Sequence, residues 1–255
     1  MNLTETTTQP RMNIESTLVY PIPSIKIDPE RLLADLNSME EDIWIPQNRY
    51  RPDIKHWEGI SLYSVNGDMH DLRSADRPPV YKTAAGEKCP YICNELLPQF
   101  GATCLRVVFY RLKAGTHIGE HRDYGENRFT TGVVRIHIPV ITNDKVLMYV
   151  EGNPYYFPVG TAWYFDASVR HAVENNSDQD RIHLVADLKL CEALECHLKP
   201  ITREDRLRFI YHTMIYYLLM GKVFFSYIWT SQGRARIRAR AAIVFRLPSR
   251  NTRKL

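Results

Sequence analysis

Residues 104–152 read CLRVVFYRLKAGTHIGEHRDYGENRFTTGVVRIHIPVITNDKVLMYVEG. Three runs rich in Val, Ile, Tyr and Phe (104–112, 131–142 and 145–152) are broken by Gly, Asn and Asp. The pattern continues in YYFPVG (155–160), TAWYFDA (161–167) and RIHLVADLKL (181–190). β-Branched and aromatic runs that recur about ten residues apart between turn formers predict an antiparallel barrel or double-sheet jelly roll. The chain has no nucleotide-binding glycine loop and no internal repeat.

Side chains alternate between the two faces of a strand. In VVRIHIPV, Ile136 and Ile138 share one face and leave Arg135 and His137 on the other; in RIHLVADL, Ile182, Leu184, Ala186 and Leu188 oppose Arg181, His183 and Asp187. Each strand thus carries an apolar face and a face with Arg-x-His. Such a face either meets water or points into the barrel, and in the second case its arginines require an anion.

The segment GTHIGEHRDYGENR (115–128) lies between two of these strands. His121 and Asp123 flank one residue, so at an extended strand end both side chains reach the same side. One further histidine makes a two-histidine, one-carboxylate set, which suits iron(II) with open positions for a chelating cosubstrate and dioxygen. His171, in FDASVRHAVEN, is the candidate. Ten residues on, Arg181 opens the last strand; a guanidinium holds a carboxylate through two parallel hydrogen bonds. Together the four residues point to a dicarboxylate, bound by metal at one end and by Arg181 at the other. A zinc hydrolase fits the ligand types but leaves Arg181 unexplained, and a non-catalytic cupin-like sensor predicts damage to a ligand set that is intact.

The runs FYRLKAGTHIGEHRDY, RIHIPV, GTAWYFDASVRHAV and RIHLVADL, in this order, resemble the aspartyl/asparaginyl β-hydroxylase-like branch of the iron(II)/2-oxoglutarate dioxygenases. They are also similar to the bacterial free-proline cis-hydroxylases. The resemblance covers about residues 104–190. It implies a mainly β, double-stranded β-helix (jelly-roll or cupin-like) core, with iron(II) held by His121, Asp123 and His171 and 2-oxoglutarate held at its distal carboxylate by Arg181 with help from Tyr110. Arg135 and His137 would line the same pocket, against cosubstrate or substrate. The implied reaction consumes 2-oxoglutarate and O2, releases succinate and carbon dioxide, and hydroxylates an unactivated C–H bond. Peptidyl hydroxylases of the vertebrate type and the related halogenases carry glycine at the place of Asp123, so the aspartate here favours hydroxylation over halogenation. An amino acid or amino-acid-derived small molecule is the expected substrate, with an Asp, Asn or other residue within a peptide as the alternative. Arg135, Arg122 and Arg170 are candidate partners for its carboxylate, and Trp163, Tyr164 and Phe165 candidates for excluding water.

Outside this core, DPERLLADLNSMEED predicts a helix capped by Asp28, with Pro29 at its first position and Leu32, Leu33, Leu36 and Met39 at helical spacing. A second short helix is expected near YICNELLPQF. At 255 residues and 44% hydrophobic composition, one main domain is expected. It divides into a disordered lead-in over 1–20, the oxygenase core over 21–200 and a basic, partly apolar, helical extension over 201–255. The start has no secretory pattern, and five cysteines without metal spacing read as free thiols, so a cytoplasmic location is expected. Residues 203–255 hold 12 of the 33 Lys and Arg but 2 of the 29 Asp and Glu. Residues 209–229 are long enough to span a bilayer, but His212 and Lys222 interrupt them. A helix packed on the barrel is therefore expected ahead of a membrane or partner-facing anchor, and no specific nucleic-acid partner is expected.

Overall fold

A computed structural model describes residues 16–47, 56–75, 78–123, 128 and 131–219. In chain order the elements are β1 (Val19–Pro21), α1 (Pro29–Asn37), β2 (Ile45–Pro46), β3 (Trp57–Ser64), β4 (Tyr81–Lys82), α2 (Ala84–Glu87), β5 (Cys104–Leu112) and β6 (His117–His121). There follow β7 (Val133–Ile141), β8 (Val146–Val150), β9 (Asn153–Tyr155), β10 (Trp163–Phe165), β11 (His171–Asn175), β12 (Arg181–Lys189), α3 (Glu192–Glu195) and α4 (Arg203–Leu219).

Two antiparallel sheets make a jelly roll. The larger runs β1-β10-β7-β12-β5-β3-β2, with β4 also on β3, and the smaller runs β6-β11-β8-β9. The apolar faces read from the sequence point away from the smaller sheet. Ile136, Ile138, Leu184, Ala186, Val107 and Phe109 pack in one core with Leu32 and Leu36 of α1 and with Ile92, Leu96 and Phe100. Burying each of the larger of these side chains contributes roughly 1.5–3 kcal/mol. A second core lies between the sheets, built from Leu112, Ile118, Met148, Val150, Phe157, Trp163, Phe165 and Val173. The Arg-x-His faces of β7 and β12 therefore turn inward, where Arg135, His137, Arg181 and His183 are all buried.

Helix α1 forms as the sequence predicts. Asp28 accepts hydrogen bonds from the Glu30 and Arg31 amides, both at 3.1 Å, and Leu32 and Leu36 are buried while Leu33 stays exposed. The expected second helix is irregular: a π turn over Ile92–Leu96 runs into a 3-10 turn over Leu97–Phe100. Pro98 has no N–H to continue an α-helix, and Gly101, at a φ of 58°, ends the turn. The run YYFPVG is only partly strand. Pairing stops at Tyr155, and Phe157 enters the inter-sheet core from a loop where Pro158 lacks a donor and Gly160 has a φ of 81°.

The sheet begins inside the expected lead-in, because Val19 and Tyr20 pair with Phe165 and Tyr164; residues 1–15 lie outside the described residues. The five cysteines form no disulfide, and of these thiols Cys89 and Cys93 are buried. In the C-terminal extension α4 is helical, and its buried Asp205 accepts a hydrogen bond from Thr17 at 2.9 Å. Residues 220–255, including 220–229 of the apolar run, lie outside the described residues. Among the described residues, no helix is long and apolar enough to cross a membrane.

Candidate active site

His121 ends β6 and His171 begins β11, and the two are cross-strand partners. Their ring centroids are 4.2 Å apart. Asp123 follows two residues after His121, with its backbone amide bonded to the Ala167 carbonyl at 2.8 Å. Donor atoms of His121, Asp123 and His171 lie within 4.8 Å of one another. Each imidazole is oriented in the same manner, with Nδ1 on a carbonyl two residues back: Gly119 at 2.8 Å for His121 and Val169 at 3.0 Å for His171. A carbonyl only accepts, so the proton sits on Nδ1 and the Nε2 lone pair is left for a ligand. Burial, with His121 alongside, lowers the His171 pKa to about 4, which favours the neutral, metal-binding form. For Asp123, burial resists ionisation, but the Arg135 guanidinium beside it outweighs this and holds the carboxyl below its ordinary value.

A cavity of about 640 Å³ opens over these three residues, lined from the larger sheet by Arg106, Tyr110, Arg135, His137, Phe165, Arg181 and Val185, and from the smaller by Ile118, Met148 and Val173. Its charged wall is a ladder across three strands. Asp187 of β12 is the register partner of Arg106 on β5 and of Arg135 on β7. Its Oδ2 accepts from Arg106 at 2.5 and 2.9 Å, and Arg135 Nε donates to its Oδ1 at 2.8 Å. Arg135 continues the ladder to Asp123 Oδ2 at 2.6 Å, while Asp123 Oδ1 lies 3.7 Å from His121 Nε2. Burial opposes the charge on Asp187, yet the two arginines bring its pKa down to about 2.

Arg181 differs. It is 3% exposed and has no carboxylate partner among the described residues; its Nη2 meets His183 Nδ1 at 2.7 Å, and Nε has no hydrogen-bond partner there. Burial lowers its pKa to about 9. His137 is buried with neither ring nitrogen bonded among the described residues, and burial with Arg181 and Arg135 nearby keeps it neutral. A buried guanidinium and an imidazole in want of partners fit an anionic ligand.

The residues singled out in the sequence thus gather at one cavity: His121, Asp123, His171, Arg181, Arg135, His137 and Tyr110 all line it. Tyr110 accepts from Arg106 Nη1 at 3.3 Å and packs on Trp57, with ring centroids 5.1 Å apart. Of the further arginines, Arg122 lines the cavity and bonds the Ser168 carbonyl at 3.3 Å, whereas Arg170 is turned to Glu120 and Glu151. Of the aromatic trio, Phe165 lines the cavity, Trp163 stacks on Phe157 in the inter-sheet core, and Tyr164 faces outward onto Tyr20. Arg106 escaped the sequence reading, although it shares the Tyr110 face; its pairing with Asp187 needed the strand register.

The sequence profile of the aspartyl/asparaginyl β-hydroxylases matches residues 24–190, about two thirds of the chain. The chain belongs to the aspartyl/asparaginyl β-hydroxylase family. This hydroxylase is an iron(II)- and 2-oxoglutarate-dependent dioxygenase, and its His–Asp–His group fits the iron. It is similar in structure to a 2OG-Fe(II) oxygenase family protein from Burkholderia pseudomallei (16% identity over 69% of this chain and 86% of that one, TM-score 0.49). It also resembles the non-heme α-ketoglutarate-dependent carbocyclase SnoK from nogalamycin biosynthesis (12% identity, 69% and 81%, TM-score 0.47) and a cupin domain from Bordetella pertussis Tohama I (20% identity, 33% and 80%, TM-score 0.27).

Proposed function

We propose that this hydroxylase holds iron(II) with His121, Asp123 and His171 and binds the distal carboxylate of 2-oxoglutarate with Arg181. Its substrate is a free amino acid or an amino-acid-derived small molecule, hydroxylated at an unactivated carbon. The observation that carries the reading is the pairing, in one cavity, of a His–Asp–His group with a buried arginine that meets no carboxylate among the described residues. Two imidazoles and one carboxylate suit iron(II), and the guanidinium suits a carboxylate.

When bound, iron with 2-oxoglutarate and dioxygen supplies the oxidising power for hydroxylation as the keto acid becomes succinate and carbon dioxide. The chain supplies orientation. Backbone carbonyls aim both Nε2 atoms at the metal position, and Arg135, held by Asp187, occupies one Asp123 oxygen so that the other is presented alone. Tyr110 and His137 stand beside Arg181 on the cavity wall, placed to complete the cosubstrate site. Ile118, Met148 and Val173 of the smaller sheet, with Phe165 of the larger, keep the cavity dry. A cavity of about 640 Å³ accommodates a cosubstrate and a small second molecule, and Arg122 at its wall is placed to meet a substrate carboxylate.

The test is succinate release from anaerobically purified protein given Fe(II), 2-oxoglutarate and oxygen, screened against free amino acids and short Asp-, Asn- and Pro-containing peptides. Stimulation by one free amino acid that gains one oxygen supports the reading. Stimulation by peptides alone moves the substrate to the peptidyl class, and absence of both iron and 2-oxoglutarate binding defeats the proposal.

A further inference from the structure

Arg181 and His183 flank Ile182 on the inward face of β12, and both are 3% exposed. The contact between them is 2.7 Å, from Arg181 Nη2 to His183 Nδ1. A guanidinium has only donors, so Nδ1 accepts, and the imidazole is therefore neutral with its proton on Nε2. That proton has no acceptor among the described residues. The ring is fixed by its neighbours: Phe157 lies nearly parallel at 6.2 Å, and His137 meets it edge-on at 5.8 Å. The two flanking positions on the opposite face, Ile182 and Leu184, are apolar and buried, and Val185 shows that the inward face also accepts an aliphatic side chain. An imidazole that leaves one nitrogen unbonded is a poor choice for packing alone. It does provide Arg181 with a rigid acceptor.

Behind the pair is a second void, lined by Arg181, His183, Thr142, Met148, Tyr155 and Phe157, with room for about 10 Å³. This is at or below the size needed for one water. The void gives the guanidinium no hydrogen-bond partner, and on its other side Arg181 lines the large cavity, where a long side chain has several rotamers to choose from. Among the described residues no carboxylate fixes it either: its pKa is moved by burial alone, and its hydrogen bond goes to His183.

We infer that His183 is a positioning residue: it takes one Arg181 N–H as a neutral acceptor and so locks the guanidinium with its remaining edge toward the cavity, ready for the carboxylate of 2-oxoglutarate. The inference rests on the proposed role of Arg181. It assigns to His183 affinity for the cosubstrate, not the chemistry and not metal binding. Asparagine preserves the acceptor, since its Oδ1 falls near the place of Nδ1; leucine and phenylalanine remove it, and phenylalanine keeps the ring stacked on Phe157.

The experiment measures 2-oxoglutarate binding by calorimetry to the full-length Mn(II)-loaded protein, beside Mn(II) binding itself and the KM and kcat of the Fe(II) enzyme. His183→Leu and His183→Phe are expected to weaken 2-oxoglutarate about tenfold or more and to raise its KM alike, with Mn(II) affinity unchanged, while His183→Asn stays within about threefold of wild type. Wild-type affinity in both acceptor-free variants overturns the inference, as does an Asn variant as weak as the other two. Arg181→Met separates the two levels. If it loses 2-oxoglutarate while His183→Phe does not, only the positioning role falls; if it binds normally, the reading of Arg181 falls as well.

Discussion

At the residue scale, what distinguishes the arginines of the cavity is whether a carboxylate already holds them. Arg106 and Arg135 share the fully buried Asp187, and Arg135 reaches on to Asp123. Among the described residues Arg181 has only an imidazole. Asp187→Asn removes the charge between two buried guanidinium groups and is expected to cost about 3–5 kcal/mol in denaturant unfolding. A loss under about 1 kcal/mol would show the ladder to be slack. The pH dependence has a definite sign. The folded pKa of Asp187, about 2, lies below its ordinary 3.8, so its stabilisation is complete above pH 3.8 and fades as pH falls through 2. The amount at stake is about 2 kcal/mol, and stability measured between pH 4 and 2 should fall less steeply in Asp187→Asn than in wild type. His171→Ala is expected to lower 2-oxoglutarate consumption by more than about 100-fold, since losing even an outer partner of a metal ligand costs 10–100-fold. Consumption at the wild-type rate would remove His171 from the site.

At the element scale, β7 and β12 each serve two masters. Their outward residues bind α1 and the irregular helix into the main core, and their inward residues carry the charged wall. The supporting layer tolerates little change where α2 crosses β3. A Cβ at Gly86 would come within 2.4 Å of the Leu62 carbonyl oxygen, and backbone cannot yield as a flexible side chain can. Gly86→Ala should therefore destabilise by about 1–3 kcal/mol through overpacking, visible as a lower Tm with kcat retained in the folded fraction. A Tm equal to wild type would mean that α2 shifts freely on the sheet.

At the scale of the whole molecule, the site is assembled from both sheets: His121 and His171 from the smaller, Arg135, His137 and Arg181 from the larger. A ligand that bridges them ties the layers together. Mn(II) at 100 times its Kd should raise stability by about 2.7 kcal/mol, and 2-oxoglutarate should add to this only when metal is present; a Tm indifferent to metal would contradict the His–Asp–His assignment. Much of this was legible beforehand. Strand spacing pointed to an antiparallel barrel or double-sheet jelly roll, period-2 alternation separated the faces of β7 and β12, and His121, Asp123, His171 and Arg181 stood out because metal ligation and carboxylate binding admit few residue types. Alternation, however, states only that two faces differ. It does not state which one meets water, so the inward turn of Arg135, His137, Arg181 and His183 followed only once helices covered the apolar face. Nor does local sequence contain register. The line Arg106–Asp187–Arg135 joins residues 52 and 81 positions apart, and only the pairing of three strands places one carboxylate between two guanidinium groups and leaves Arg181 with none among the described residues.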